Sequence, residues 1–273
     1  MGSWTFPWSI LVPGYPPPEK PLDAFDILVL ANNLGAGIVQ YADNLPLHEL
    51  AQTELADLRK QADNFGIAIE VGTRGIQTEL LLQYLEIAKT LGAELVRTLL
   101  FDKTGKLSIP EIIPLLNRVL PEFKKENVVL AIENYQLYTT AEYRTIIESV
   151  GSGHLGICLD TINNLGTLET PLQVVQQLGE FAVNLHFKDF AIHRIATTLG
   201  YKIEGTPASK GALDARWLLE TIGAYGICKS VIIEQWVPFS DSLESTRKRE
   251  LEWAREGMRS LGDTMRDLGI LEE

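Results

Sequence analysis

Four side chains that can bind a metal ion follow one another along the second half of the chain. They are Glu133 in Ala-Ile-Glu-Asn, Asp160 in Cys-Leu-Asp-Thr, His186 in Leu-His-Phe-Lys-Asp and Glu234 in Ile-Ile-Glu-Gln. Their spacings are 27, 26 and 48 residues, and each lies at the end of a short apolar run. Three carboxylates and one imidazole suit Mn²⁺, Mg²⁺ or Co²⁺, with Fe²⁺ and Zn²⁺ as further options. The alternative is that each side chain is separately a salt-bridge member at a strand end.

The residues beneath these side chains are small or apolar. Residues two apart in a strand share a face, so Glu133 lies above Ala131, and Asp160 lies above Cys158 and Gly156. Charged groups aimed into such an interior are costly to desolvate unless something compensates them. A divalent cation is the simplest compensation for all four side chains together.

The elements that carry these side chains are strands separated by helices. Apolar runs predict eight strands, at residues 8–12, 36–41, 67–71, 93–100, 128–133, 154–160, 182–188 and 230–236. Gly66 and Gly92 are expected to cap helices at their C-termini, and N-caps are expected at Ser108, Thr139 and Thr170. Alternating strands and helices imply parallel pairing. The 273 residues therefore predict a single α/β domain over 1–273, a (β/α)₈ TIM barrel.

Two features complete the predicted architecture. A long connection at residues 190–213 separates the seventh strand from its helix, and a C-terminal helix is expected at about 242–268. Because βα loops lie at the catalytic face of a barrel, we expect the long connection to be a lid or a substrate-binding loop. A doubly wound open sheet is the rival fold, but no G-x-G-x-x-G turn follows a strand.

The four segments, in this order, resemble the xylose-isomerase-like TIM-barrel superfamily over about residues 38–236. That superfamily contains sugar and sugar phosphate isomerases, ketose 3-epimerases, hydroxypyruvate isomerases, inosose and dehydroshikimate dehydratases, and endonuclease IV. The resemblance implies that Glu133, Asp160, His186 and Glu234 bind one divalent metal ion, with Mn²⁺ as first choice. It also implies that Glu133 and Glu234 exchange the substrate proton. The expected function is a metal-dependent isomerase or epimerase of a keto sugar or sugar phosphate, acting through a metal-stabilised enediolate.

Further side chains are expected to bind the substrate or to wall its pocket: Lys188, Arg194, Asn163, Arg97 and Trp236. Lys188 lies two residues beyond His186 on the same face, and a salt bridge at the rim is an equal alternative. Arg194 lies where related proteins often place a substrate-binding arginine. Arg97 falls within a strand and needs an anionic partner, for which Glu70 is the candidate. Asn163 is a departure, because several ketose epimerases have a histidine at this point.

Composition excludes some functions and leaves others open. A net charge of −12 and four histidines make an endonuclease improbable, and neither nucleic acid nor a membrane is an expected partner. Two cysteines and the lack of a targeting signal predict a cytoplasmic protein. A dehydratase, which would expel a β-hydroxyl from the same enediolate, is the first alternative function. A non-catalytic sugar-binding protein and a homo-oligomer also stay open.

Overall fold

The computed structural model describes residues 1–102 and 105–271. Within these ranges, seven parallel strands form the central sheet. The strands of the described chain are β1 (Ile38–Tyr41), β2 (Ala68–Gly72), β3 (Leu95–Thr98), β4 (Phe101–Asp102), β5 (Gly105–Lys106), β6 (Val129–Glu133), β7 (Leu155–Asp160), β8 (Ala182–Phe187), β9 (Phe190–Arg194), β10 (Tyr201–Gly205) and β11 (Ser230–Ile233). The order in the sheet is β1-β2-β3-β6-β7-β8-β11. The two remaining pairs, β4 with β5 and β9 with β10, are antiparallel.

Helices cover the outside of this sheet and follow its strands. They are α1 (Pro7–Ile10), α2 (Ala24–Asn33), α3 (Gln52–Phe65), α4 (Thr78–Leu91), α5 (Ile109–Lys125), α6 (Thr140–Val150), α7 (Pro171–Leu178), α8 (Ala215–Ala224) and α9 (Leu243–Asp267). The expected TIM barrel is confirmed, as a nearly closed cylinder of seven strands. No helix in the described ranges combines the length and the apolar character needed to cross a membrane.

The local signals read from the sequence explain where the helices begin and end. Gly66 and Gly92 follow α3 and α4 with φ of +67° and +62°, the left-handed conformation that glycine adopts without strain. The Thr139 and Thr170 side chains accept hydrogen bonds from the third residues of α6 and α7. The C-terminal helix, expected at about 242–268, is α9 (Leu243–Asp267).

The first predicted strand, residues 8–12, is wrong. This run begins with the short helix α1, which has Pro7 in its first turn. The buried Glu250 carboxylate accepts hydrogen bonds from the N–H groups of Trp8, at 2.7 Å, and Ser9, at 3.0 Å. These N–H groups are among the donors that a helix start leaves unpaired, so a partner 242 residues away in the chain fixes the helical conformation.

The N-terminal residues fill the seam between β1 and β11. Gly2 forms a parallel bridge with Gln40 of β1. On the other side, the Thr5 hydroxyl donates to the carbonyl of Ile233 at 2.6 Å, and Gln235 Nε2 donates to the carbonyl of Thr5 at 2.7 Å. The eighth position of the cylinder is therefore held by irregular backbone and short side-chain contacts.

The long connection at residues 190–213 contains the hairpin β9–β10. Asp189, which is 1% exposed, fixes its base. Its carboxylate accepts hydrogen bonds from the N–H groups of Phe190 and Gly211, both at 2.8 Å, and of Leu213 at 3.1 Å. The hairpin pairs with itself and stands outside the barrel sheet.

Candidate active site

The four metal-capable side chains meet at the carboxyl end of the barrel. Glu133 and Asp160 end β6 and β7, His186 lies in β8, and Glu234 directly follows β11. Asp160 and His186 are register partners, and the N–H of Glu234 donates to the carbonyl of Phe187 at 3.1 Å. All four side chains are buried, with exposed fractions of 2% for Glu133, 0% for Asp160 and His186, and 5% for Glu234. The spacing seen in the sequence thus becomes one cluster because neighbouring parallel strands end side by side.

The interatomic distances fit a small cation. His186 Nδ1 lies 3.1 Å from Glu234 Oε1 and 3.6 Å from Glu133 Oε2. Ligand atoms of Asp160, His186 and Glu234 all lie within 4.8 Å of one another, as do those of Glu133, Cys158 and His186. His186 Nδ1 is fully buried and makes no hydrogen bond within the described chain. Asp160 Oδ2 is also fully buried, and its partner is the ammonium of Lys188 at 2.8 Å. A buried imidazole nitrogen without a hydrogen bond, beside several carboxylate oxygens, fits a metal site.

Neighbouring residues orient these donors toward the centre of the cluster. His186 Nε2 lies 2.7 Å from Gln40 Oε1, and Gln40 Nε2 donates to Glu70 at 2.9 Å, so the Gln40 oxygen faces the imidazole. The Nε2–H of a neutral His186 therefore donates to Gln40, and the lone pair of Nδ1 is left for a ligand. Asp160 Oδ1 accepts from the N–H groups of Ile162 and Asn163, both at 2.8 Å, which leaves Oδ2 directed at the cluster.

Two cations accompany the carboxylates, the buried Arg97 and the partly buried Lys188. The Arg97 guanidinium binds Glu133 through Nε and Nη2, and its Nη1 lies 3.0 Å from both Asp43 Oδ1 and the carbonyl of Thr73. Lys188 Nζ lies 2.8 Å from Asp160 Oδ2 and 2.8 Å from Glu234 Oε2. The expectation that Glu70 would be the partner of Arg97 is wrong, because Arg97 pairs with Glu133 and Asp43.

Burial and these ion pairs move the pKa values in different directions. Burial raises the pKa of Glu133, although Arg97 opposes this effect. Burial acts to raise the pKa of Glu234 too, but His186 and Lys188 outweigh it and hold that pKa well below the usual range. For Lys188, burial lowers the pKa, but the carboxylates of Asp160 and Glu234 dominate and raise it above the ordinary value. Glu234 is therefore an ionised carboxylate that contacts Lys188 at 2.8 Å and His186 at 3.1 Å.

A cavity of about 700 Å³ opens onto this cluster. Of the four metal-capable residues, Glu133 and Glu234 are among those that line the cavity, whereas Asp160 and His186 lie behind it. The other polar or charged lining residues are Asp43, Arg74, Arg97, Gln136, Asn163, Lys188 and Gln235. Much of the remaining wall is aromatic or aliphatic and includes Trp4, Trp8, Leu99, Tyr135, Ile162, Ile203 and Trp236. The cavity thus offers two carboxylates to a ligand within a largely apolar enclosure.

Of the remaining residues expected to bind substrate, Asn163 and Trp236 line the cavity and Arg194 does not. Asn163 donates to Glu133 Oε1 at 2.8 Å, and Trp236 is 39% exposed and covers Gly205. Arg194 lies on β9, is exposed, and does not line this cavity; its guanidinium carbon lies 6.0 Å from the centre of the Tyr201 ring. A role for Arg194 in substrate binding stays a prediction, to which its position lends no support.

Sequence reasoning missed several residues of the site. Trp4 and Trp8 come from the N-terminal segment that had been predicted to contain a strand. Gln40 and Asp43 lie at the end of β1 and just beyond it, where the sequence shows no metal-capable cluster. The sequence does show an amide and an acidic residue at the end of this strand. Such residues occur at the ends of many strands, so the pattern does not distinguish these two.

Comparison with known proteins agrees with the fold. Residues 28–264 match the model of the xylose isomerase-like TIM barrel family. The chain is 35% identical over 242 residues to a 3-oxo-isoapionate decarboxylase of Pectobacterium atrosepticum, covering 89% of this chain and 88% of that protein.

Solved structures of low sequence identity share the fold. D-psicose 3-epimerase from Clostridium cellulolyticum H10 has a TM-score of 0.69 at 16% identity, covering 90% of this chain and 93% of that one. The IOLI protein, solved with a bound zinc atom, has a TM-score of 0.67 at 17% identity, covering 97% of each chain. The family match, spanning most of the barrel, decides the classification. This chain belongs to the xylose isomerase-like TIM barrel family.

Proposed function

We propose that this protein is a divalent-metal-dependent decarboxylase of a 3-oxo sugar acid. The observation that carries the proposal is the cavity itself, where Glu133 and Glu234 face the ligand space while Asp160 and His186 stand behind them. The decarboxylase that is 35% identical over 89% of this chain supports the choice of reaction. Glu133, Asp160, His186 and Glu234 would hold the cation, with Mn²⁺ as the first metal to test.

The reaction needs charge stabilisation and one proton. The bond between the carboxylate carbon and C2 breaks, its electron pair forms the C2–C3 enolate, carbon dioxide leaves, and a proton is added at C2. A bound divalent cation supplies Lewis-acid stabilisation of the negative charge that develops on the C3 oxygen. The Lys188 ammonium, which lines the same cavity, adds a second positive charge.

Glu234 is the better placed of the two glutamates to carry the proton. Its carboxylate lines the cavity and contacts Lys188, whose ammonium can pass on a proton. Both oxygens of Glu133 are already occupied, Oε2 by Arg97 and Oε1 by Asn163. Glu133 is thereby suited to binding and orientation. The apolar wall excludes water, which strengthens every electrostatic interaction inside.

An isomerase or epimerase of a keto sugar is the second candidate. It is favoured by the presence of both Glu133 and Glu234 in the lining, since two carboxylates can exchange protons on opposite sides of one carbon. Protonation of Glu133 in that reaction would weaken its ion pair with Arg97 in each cycle, whereas decarboxylation leaves the pair intact. The hydrogen bonds of Glu133 therefore favour the decarboxylase.

Product analysis tests the proposal. The purified protein is stripped of metal, reloaded separately with Mn²⁺, Mg²⁺, Co²⁺ or Zn²⁺, and incubated with a 3-oxo sugar acid, with ketoses and with inosose. We expect metal-dependent release of carbon dioxide from the acid. A change of configuration in a ketose would instead establish an epimerase, and loss of water from inosose a dehydratase.

Site variants then assign the proton carrier. Glu234→Gln should lower kcat about 10²- to 10⁴-fold, the usual worth of a general acid or base. The matched control is Glu252→Gln, which changes an exposed glutamate on α9 and should leave kcat unaltered. Full activity of Glu234→Gln would remove Glu234 from the mechanism.

A further inference from the structure

Arg74 lines the cavity and forms no ion pair with the carboxylates that the structure describes. Three cations line the cavity, and two of them are neutralised, Arg97 by Glu133 and Asp43, and Lys188 by Asp160 and Glu234. The Arg74 guanidinium lies over the ring of Phe101, and no ion pair joins it to another described residue. A guanidinium cannot lose its charge in a protein, so Arg74 presents a permanent positive charge to whatever enters.

The backbone around Arg74 is held in place by β3 and the residue after it. The N–H of Thr73 donates to the carbonyl of Arg97 at 2.8 Å, and the N–H of Gly75 donates to the carbonyl of Leu99 at 3.2 Å. The Thr98 hydroxyl donates to the carbonyl of Gly75 at 2.6 Å. Hydrogen bonds on both sides of Arg74 thus fix the point from which its side chain leaves.

The side chain itself is fixed by stacking. The Arg74 guanidinium carbon lies 4.2 Å from the centre of the Phe101 ring, and the Phe101 ring lies 5.7 Å from the ring of Tyr135, another residue of the cavity wall. Contact with a ring face leaves the in-plane N–H donors of a guanidinium available. These donors form a planar fork that matches the two oxygens of a carboxylate.

The overall charge of the protein makes a cation in the cavity wall favourable for an acidic substrate. The protein has a net charge of −12, and its cavity wall includes the carboxylates of Asp43, Glu133 and Glu234. A cation that is not paired with these groups attracts an anionic sugar and offsets the negative charge of the protein. Arg74 is the described lining residue that has this charge and no internal counter-ion.

We propose that Arg74 binds the carboxylate of the substrate and so selects sugar acids over neutral sugars. The inference rests on the proposed decarboxylation and assigns the residue that recognises the group to be lost. During the reaction that carboxylate becomes neutral carbon dioxide, so its ion pair with Arg74 weakens as the transition state is approached. Arg74 therefore contributes to binding of the ground state and not to kcat.

Binding measurements test this assignment without requiring turnover. Calorimetry with the metal-loaded protein compares D-erythronate, a sugar acid with no oxo group, with erythritol, its uncharged counterpart. Arg74→Gln should weaken erythronate binding about 10- to 100-fold, the worth of a charged hydrogen-bonded pair, and should change erythritol binding less than about 2-fold. Arg74→Lys, which keeps the charge and loses the fork, should give an intermediate value. The exposed Arg255 of α9 provides the control, and Arg255→Gln should alter neither affinity.

The kinetic outcome separates this inference from the proposed function. If the protein decarboxylates a 3-oxo sugar acid, Arg74→Gln should raise KM by the same factor while kcat stays constant or rises. Decarboxylation with unchanged KM and unchanged erythronate affinity in Arg74→Gln would overturn the role of Arg74. Arg74-dependent erythronate binding without any release of carbon dioxide would instead refute the decarboxylase and leave the acid-binding role standing.

Discussion

The ion pair between Arg97 and Glu133 gives the sharpest stability prediction. Arg97 is 2% exposed, and its guanidinium contacts Glu133 with two nitrogens and Asp43 with the third. Replacing Arg97 with Met keeps most of the volume but leaves the Glu133 carboxylate buried without its main counter-ion. Breaking a buried pair from one side costs about 3–5 kcal/mol. Asp43 has an 18% exposed side chain, so water can solvate it and it adds little to the loss.

The expected shift in melting temperature follows from the size of the chain. An unfolding entropy of about 2.1 cal/mol/K per residue amounts to about 0.6 kcal/mol/K for the whole protein. A loss of about 4 kcal/mol therefore lowers the melting temperature by about 7 °C. Equilibrium urea unfolding of the metal-free protein measures the free energy directly, and calorimetry measures the temperature.

A double-mutant cycle tests the physical reason for the loss. If the cost comes from an orphaned charge, the double variant Arg97→Met, Glu133→Gln should be more stable than Arg97→Met alone, because the second change removes that charge. Additive losses would show that Arg97 stabilises through packing and its bond to Thr73. A cost below about 1 kcal/mol for Arg97→Met, the range of exposed pairs, would refute the reasoning altogether.

Three further predictions concern pH, metal and the base of the hairpin. Burial raises the pKa of Glu250 from its ordinary value of 4.5 to about 7. The free energy that this shift contributes to stability is therefore fully present below about pH 4.5 and is lost as the pH rises through about 7. Relative to Glu250→Gln, the wild type should lose up to about 3 kcal/mol between pH 4.5 and 7.5 in urea titrations, and a pH-independent difference would contradict this. Removing bound metal with EDTA should lower the melting temperature by about 5 °C, and Mn²⁺ at about 100 times its Kd should restore it; identical curves would argue against a metal site. Asp189→Asn should cost about 2 kcal/mol, because an amide cannot accept all three backbone hydrogen bonds, and limited proteolysis should then cut residues 190–213 faster than in the wild type.

Signals that act within a few residues predicted much of the barrel. Gly66, Gly92, Thr139 and Thr170 act within one turn of their own helices, and each lies where the sequence placed it. Seven of the eight predicted strands overlap strands of the sheet for the same reason, since alternation and β-branching are local. The remaining prediction, a strand at residues 8–12, failed because Glu250, near the other end of the chain, decides the conformation of these residues.

Part of the candidate site could be predicted from the sequence, and part could not. The cluster of Glu133, Asp160, His186 and Glu234 could be predicted, because parallel strands necessarily end together at one edge of a barrel. The partner of Arg97 could not, because Glu70 and Glu133 lie in the two strands that flank β3 and only the side-chain directions decide between them. The position of Arg74, just after a strand, left a structural or a functional role equally open, because its lack of an ion pair among the described residues is seen only in space.

The seam at residues 2–5 has a consequence for how this protein folds. Those residues touch β11 and its successor across about 230 positions of chain, as in the hydrogen bond from Thr5 to Ile233. Contacts of such high sequence separation carry a large loop-closure entropy and slow the rate-limiting step. During synthesis, one edge of β1 stays unpaired until β11 has left the ribosome, and only then can the barrel close. An early open sheet of this kind exposes an unpaired edge to other chains, so co-translational aggregation should be most sensitive to changes in these first few residues.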